Sequence, residues 1–163
     1  MDVVRAASLI VTTLLLGLVS GFFYTYSISV MVSLRGTDDR TFVDVMQKIN
    51  RDVQNPRFFM TFIGSLLFGI LTVILYIGQP FAVFLPVLLA LVFYVGCFGV
   101  TVTRNVPMNV RLDKYGPPDR IADLAAVRKE FEEPWVRLNG IRAWFATLGF
   151  GAAIWALIAH FSA

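Results

Sequence analysis

The sequence predicts an all-α integral membrane protein, a four-helix bundle with short amphipathic helices in its two cytoplasmic connections. The first observation is composition: of 163 residues, 57% are hydrophobic and 15% are charged, whereas a soluble domain carries about 25% charged residues. The second is a set of long charge-free stretches, because about 20 apolar helical residues cross a hydrocarbon core. The third is that the basic residues gather between these stretches.

The charge-free stretches predict four membrane spans in one transmembrane domain. Residues 58–103 would measure about 69 Å as a single helix, far more than a bilayer core, so this stretch must turn back. Gly78 and Pro80 supply the turn, because glycine ends helices and proline cannot continue one. The predicted domain is 1–163, with spans at 6–34, 58–77, 81–103 and 143–163.

The basic residues predict the orientation of the bundle. The connections 35–57 and 104–142 carry five and eight Lys and Arg residues, and only Arg5 lies on the other side. Cytoplasmic loops of membrane proteins carry such an excess. We therefore expect both connections in the cytoplasm and both termini outside, in a bacterial inner (plasma) membrane.

Sparse ligating residues argue against several kinds of site. Cys97 and His160 are the only cysteine and histidine, so a bis-histidine haem or a Cys/His zinc or copper site is not expected. There is no glycine-rich phosphate loop, and the net charge of +3 includes no basic run typical of nucleic-acid binding. We expect no metal, no cofactor and no nucleic-acid partner.

Small residues predict where the helices approach each other, because helices in lipid associate through close backbone packing. One face of the first span is assigned to the bundle interior: Gly17, Ser20, Gly21, Tyr24, Ile28 and Met31. The Gly17-x-x-x-Gly21 pair serves packing within the bundle or, as the alternative, a homo-oligomer.

An amphipathic helix is predicted at about 41–54 in the first connection, with Thr41-x-x-Asp44 as its start. Asn50 falls inside its apolar stripe, and Gln47 flanks that stripe. A buried amide needs partners, so each of the two makes a structural hydrogen bond or binds a ligand.

The exit of the third span combines two amides with a proline. Pro107 removes a backbone donor, so the chain here is a kinked helix or a break. Asn105 and Asn109 share a face if helical turns persist, and they either repair the backbone or line a polar pocket.

The fourth helix is predicted to start at Glu132-Glu133-Pro134. Trp135, Asn139 and Arg142 then recur on one stripe, which continues over the small residues Ala146, Gly149 and Ala153. Two interpretations stay open. Arg142 snorkels or pairs with a carboxylate, or it forms the cationic floor of a pocket for a flat hydrophobic molecule with an oxyanion.

These motifs together resemble the anthrone oxygenase-like family of small four-span membrane proteins. The residues that carry the resemblance are Gly21-Phe-Phe-Tyr-Thr-Tyr26, Met46-Gln-Lys-Ile-Asn50, Asn55-Pro56, Asn105-Val-Pro-Met-Asn109 and Trp135-x-x-x-Asn139-x-x-Arg142. Some fungal members oxidise anthrones to anthraquinones with molecular oxygen and no cofactor. The resemblance therefore implies a membrane-embedded, cofactor-independent oxygenase for a hydrophobic aromatic or phenolic molecule, with oxygen as co-substrate.

The resemblance also implies roles for particular residues. Arg142, Asn139 and Asn50 are the candidate catalytic residues, which stabilise an oxyanion. The candidate substrate-binding residues are Tyr24, Gln47, Asn105, Asn109 and Trp135. For proton removal we expect Asp44, Glu133 or water. The alternative function is a non-catalytic lipid- or quinone-binding membrane protein, or an accessory subunit.

Overall fold

The structure is a computed structural model that describes residues 2–162. In that range four helices are long and apolar enough to cross a membrane, so the predicted all-α membrane bundle is confirmed. The helices are α1 (Asp2–Arg35), α2 (Asp39–Asp52), α3 (Pro56–Tyr76), α4 (Phe81–Lys114) and α5 (Leu124–Ser162). α2 is the amphipathic helix of the first connection, and both charged connections lie at one end of the bundle, here called the polar end.

The longest helix, α5, packs against both α1 and α4, and α3 completes the bundle against the same two helices. The small residues of α5 make this approach possible. Ala146 and Ala153 have no exposed surface, and a Cβ at Gly149 would lie 3.2 Å from the carbonyl oxygen of Ala90. The predicted inward stripe of the fourth helix is confirmed.

α5 begins at Leu124, more than two turns before the predicted start at Glu132-Glu133-Pro134. The Asp123 carboxylate accepts a hydrogen bond from the Ala126 amide at 2.9 Å and caps the helix. Pro134 lies inside the helix on its exposed side, so the carbonyl that the missing N–H leaves free is on a face that solvent can reach. The prediction missed this extension because it treated proline as a first-turn residue.

α4 continues through Pro107 to Lys114, so the continuous helix is the correct alternative there. A π-helical turn at Thr101–Asn105 precedes the proline and absorbs the changed hydrogen-bond register. The helical residues of the second connection therefore belong largely to extensions of α4 and α5, with a short 3-10 turn at Pro118–Arg120 between them.

α2 starts with Asp38 as its N-cap, not with the predicted Thr41-x-x-Asp44 box. The Asp38 carboxylate accepts hydrogen bonds from the amide and hydroxyl of Thr41 at 3.0 and 2.7 Å, and these bonds lower the pKa of Asp38 below its ordinary value. Phe42, Val43 and Met46 are fully buried against the polar end of the bundle. α2 thus covers the polar end of the bundle and is held there by apolar contacts.

The predicted interior face of α1 is wrong in part. Ser20 and Met31 are buried, but Tyr24 and Ile28 are 54% and 56% exposed, and Phe23 takes the inward position. The buried stripe of the regular helix runs through Leu16, Val19, Ser20 and Phe23, so the predicted face is already out of phase at Tyr24. A π-helical turn at Tyr26–Val30 then inserts one extra residue and shifts the phase again before Met31. A straight 100° wheel that joins Gly17 to Met31 cannot represent that shift.

Gly149 provides a test of the helix packing. Replacing Gly149 with Leu forces α5 away from Ala90, and we expect a loss of about 1–3 kcal/mol in unfolding free energy, the usual cost of overpacking. Gly151→Leu is the matched control, because a Cβ at Gly151 meets nothing within 4 Å. Denaturant unfolding in detergent micelles measures both, and equal stability of the two variants would contradict the packing described.

Candidate functional site

A cavity of about 370 Å³ opens between α2 and the polar ends of α1, α3, α4 and α5. Its volume lies within the range of about 300–1,000 Å³ that is usual for small-molecule sites. Aromatic rings form much of the wall: Phe22, Phe23, Tyr26, Phe58, Phe59 and Trp135. Polar groups face it from the other helices: Asn50, Thr101, Asn109, Asp113 and Arg142, with Lys114 at the rim.

Arg142 is the central charge of this cavity. The residue is 5% exposed, and within residues 2–162 it forms no ion pair with a carboxylate. Its guanidinium carbon lies 4.3 Å from the ring centre of Phe23 and 4.9 Å from that of Trp135. The aromatic faces stabilise the cation. They do not use its hydrogens, so the terminal nitrogens keep their capacity to donate to an oxygen.

Asn139 fixes the position of Arg142. Its side-chain oxygen accepts a hydrogen bond from Nε of Arg142 at 3.1 Å. Its side-chain nitrogen donates to the carbonyl of Phe23 at 3.2 Å and to the hydroxyl of Ser27 at 2.9 Å. The Phe23 carbonyl lies just before the π turn of α1 and also accepts a longer hydrogen bond from the Ser27 hydroxyl, at 3.4 Å. The predicted catalytic Asn139 thus lies behind Arg142 as a positioning residue.

Trp135 is held in the cavity wall by Asn109, another of the predicted binding residues. The indole nitrogen of Trp135 donates to the side-chain oxygen of Asn109 at 2.8 Å. The Tyr26 ring lies 5.7 Å from the Trp135 ring, centre to centre and tilted. Both rings border the cavity, so a flat molecule in it has aromatic surface on one side and the guanidinium nearby.

Two other predicted amides are buried with free hydrogen-bonding atoms. Asn50 lines the cavity, is 6% exposed, and its side-chain nitrogen has no partner among the described residues. Asn105 is fully buried between Thr101 and Asn109 on α4, outside the cavity lining, and neither atom of its amide has a partner in residues 2–162. An unsatisfied buried amide is costly, so both polar positions favour a ligand or ordered water nearby.

Gln47 and Tyr24 do not line the cavity, which contradicts their predicted placement in the binding site. Gln47 is 2% exposed, and its amide donates to the carbonyls of Leu112 and Gly116, both at 2.9 Å. It ties α2 to the end of α4, so its polar group is used for structure. Tyr24 is 54% exposed because the α1 phase turns it away from the bundle.

The expected proton acceptors also lie elsewhere. Asp44 is exposed, and Glu133 lines a separate outer groove. In the described part of the chain Asp113 is the carboxylate that lines the cavity, at its mouth, where it pairs with Arg51 at 2.6 Å. The sequence contained a pattern that could have predicted Asp113. Polar residues recur every four positions along a continuous α4 and so form one helical stripe: Thr101, Asn105, Asn109 and Asp113.

Tyr26 and Thr101 were missed for a different reason. Each is the first residue of a π turn, and both line the cavity. No residue type specifies a π turn reliably, so no sequence signal places these side chains. Within residues 2–162, no group of three His, Cys, Asp or Glu side chains converges as a metal site.

Asn139 gives a test of the anchored cation. Asn139→Leu leaves Nε of Arg142 without its partner and removes the shorter of the two side-chain hydrogen bonds to the Phe23 carbonyl, and we expect a loss of about 1–3 kcal/mol in unfolding free energy. Ser27→Ala removes a single partner and should cost less than about 1 kcal/mol. Unfolding in micelles measures both. Equal stability of the two variants would contradict the conclusion that Asn139 links Arg142 to α1.

Comparison with known proteins bears on the family to which the chain belongs. No curated protein and no solved structure matches the chain at a significant level. The sequence profile of a family described as Anthrone oxygenase matches residues 56–152, a range that contains Asn105, Asn109, Trp135, Asn139 and Arg142. The match covers more than half of the chain and confirms the resemblance seen in the sequence. The chain belongs to the anthrone oxygenase family.

Proposed function

We propose that the protein is a membrane-embedded oxygenase that oxidises a flat phenolic or anthrone-like molecule with molecular oxygen, without a cofactor. One observation carries the proposal: a buried arginine that has no carboxylate partner within residues 2–162 faces an aromatic cavity. A buried cation of this kind is stabilised further by an oxyanion. Aromatic walls bind fused rings, so the cavity suits an aromatic ring system that carries an ionised oxygen.

The proposed reaction is the oxidation of an anthrone to an anthraquinone. Loss of a methylene proton gives an aromatic oxyanion, which Arg142 stabilises by hydrogen bonding. This electron-rich anion transfers one electron to oxygen, and the resulting radical and superoxide combine to form a carbon–oxygen bond. Protonation gives a hydroperoxide. Loss of the second proton breaks its oxygen–oxygen bond, forms the new carbonyl and releases water, so one anthrone and one oxygen give one anthraquinone and one water.

Asp113 is our candidate for the group that removes the proton. It is the carboxylate of the cavity lining and stands at the mouth, where water can take the proton onward. Arg142 and Asp113 then have opposite tasks, since the cation stabilises the product of a deprotonation that the carboxylate drives. Asn50 and Trp135 border the same space and orient the rings.

The proposed setting is a bacterial plasma membrane with the polar end in the cytoplasm. The excess of Lys and Arg in the two connections supports that orientation. Oxygen and an apolar aromatic substrate both dissolve in the bilayer, so a site within the bundle has access to both.

A binding role without chemistry is the second candidate. It is favoured by the donors of Arg142, because a guanidinium that stabilises an oxyanion also donates to a quinone carbonyl. The same cavity would then hold a quinone without turnover. Oxygen consumption separates the two functions, since only the oxygenase takes up oxygen with an anthrone.

Replacement of Arg142 tests the oxyanion role. We expect Arg142→Gln to lower kcat/KM for anthrone-dependent oxygen uptake by about 10²–10³-fold, the usual effect of losing an oxyanion donor. Arg142→Lys keeps the charge and should retain part of the rate. Arg137→Gln is the matched control, because Arg137 is an exposed arginine of α5 outside the cavity. If the parent takes up oxygen with an anthrone and Arg142→Gln does so at the same rate, the role assigned to Arg142 is refuted.

Replacement of Asp113 tests the proton acceptor. Asp113→Asn should lower kcat about 10²–10⁴-fold at neutral pH, the range for loss of a general base. The deficit should shrink as pH rises, because hydroxide then ionises the substrate in solution. Asp44→Asn is the control, since Asp44 is exposed and lies outside the cavity lining. A pH profile of oxygen uptake is the measurement, and a deficit that stays constant with pH would argue against proton removal by Asp113.

A further inference from the structure

A second cavity, the lateral groove, lies beside the site on the outside of the bundle. It encloses about 520 Å³ between α1, α2 and α3. Leu18 and Thr61 line its apolar part, and Asp52, Asn55 and Arg57 line its edge at the polar end. The groove therefore runs from polar side chains to apolar ones along the bundle surface.

Only a thin wall separates the lateral groove from the site cavity. Five side chains line both spaces: Phe22, Tyr26, Ile49, Val53 and Phe58. The Phe22 and Phe58 rings pack at 5.3 Å between centres, and each residue is only half-buried. Neither side chain has a polar atom that could form a hydrogen bond. Apolar packing alone therefore holds these two rings in the wall between the two spaces.

The apolar part of the groove faces the hydrocarbon of the bilayer. Leu18 is 62% exposed and lies in the charge-free stretch of α1. At about 1.5 Å per residue it is roughly 20 Å along the helix from Arg5 and roughly 25 Å from Arg35. Both distances place Leu18 well inside a hydrocarbon core of about 30 Å.

The other opening of the site cavity is charged. Its mouth is lined by the ion pair of Arg51 and Asp113 and by Lys114. An apolar ring system that reaches the site through this mouth must leave the bilayer and cross a layer of ordered charges, at a cost that grows with its apolar area. The groove offers a route without either step.

We propose that the aromatic substrate moves from the bilayer into the site through the lateral groove, between the rings of Phe22 and Phe58. The inference rests on the proposed function and adds the route to it. The charge of Arg57 at the groove edge suits the oxygen of a phenolate, and in residues 2–162 Arg57 forms no ion pair. A substrate held there has its oxygen at the polar end and its rings in the hydrocarbon.

The experiment follows the arrival of anthraquinone, a product-like aromatic that dissolves in membranes. Trp144 and Trp155 are replaced by Phe, which leaves Trp135 in the cavity wall as the reporter. The protein is placed in lipid nanodiscs, and the rate at which anthraquinone quenches Trp135 is recorded. Leu18→Phe with Thr61→Phe fills the groove. Leu14→Phe with Leu67→Phe is the matched control, on exposed positions of the same helices outside both spaces.

We expect the groove-filled protein to be quenched at least tenfold more slowly than the control, with the final extent within twofold. Anthraquinone-2-sulfonate, which stays in water and approaches the charged mouth, should quench both proteins at the same rate; this shows that the cavity of the groove-filled protein is intact. Equal rates with anthraquinone overturn the route and leave the site standing. If anthraquinone quenches neither variant nor the parent, the proposed function falls and the route with it. A further measurement uses nanodisc lipids with brominated acyl chains, which quench Trp135 if a lipid chain fills the groove. Such quenching that persists after anthraquinone is added also overturns the route, because a lipid chain then occupies the groove.

Discussion

A buried cation that has no carboxylate partner in the described part of the chain is the constraint on which the polar end of this bundle depends. An arginine taken out of water is costly unless other groups replace its hydration. Here two aromatic faces cover Arg142, and Asn139 accepts its Nε hydrogen. The buried Asn139 in turn needs acceptors for its own amide hydrogens. The Phe23 carbonyl beside the π turn of α1 and the hydroxyl of Ser27 supply them. A change of helix register on α1 is thus connected, through one amide, to a charge on α5.

The sequence predicted the features that follow regular periodicity and charge distribution. Charge-free lengths were enough to predict the membrane bundle, and the spacing of Trp135, Asn139 and Arg142 was enough to place them on one buried stripe. These predictions hold because a regular helix repeats its geometry, so position in the chain determines direction in space.

The failures occur where that regularity ends or where tertiary contacts decide. On α1 the buried stripe of the regular helix passes through Phe23 and not through Tyr24, and the π turn that follows begins with Tyr26 at the site. Gln47 had the polarity of a binding residue, but two backbone carbonyls of the second connection occupy its amide. Asp113 was overlooked because Pro107 left the continuity of α4 undecided. Each miss concerns information that a local pattern does not contain, namely the helix register or the identity of a distant partner.

The uninterrupted length of α5 has a consequence for how the site can change. Trp135, Asn139 and Arg142 stand on one rigid rod, whose small residues are locked against α1 and α4. The wall opposite comes from α1, α2 and α3, whose rings make no hydrogen bonds that the rod requires. Apart from Phe23 and Ser27, which support Arg142 and Asn139, the wall can therefore be redesigned separately from α5. Substitutions of Phe22, Phe58 or Ile49 can adapt the cavity to a substrate with a different ring shape, while Arg142 keeps its position and the groups that support it.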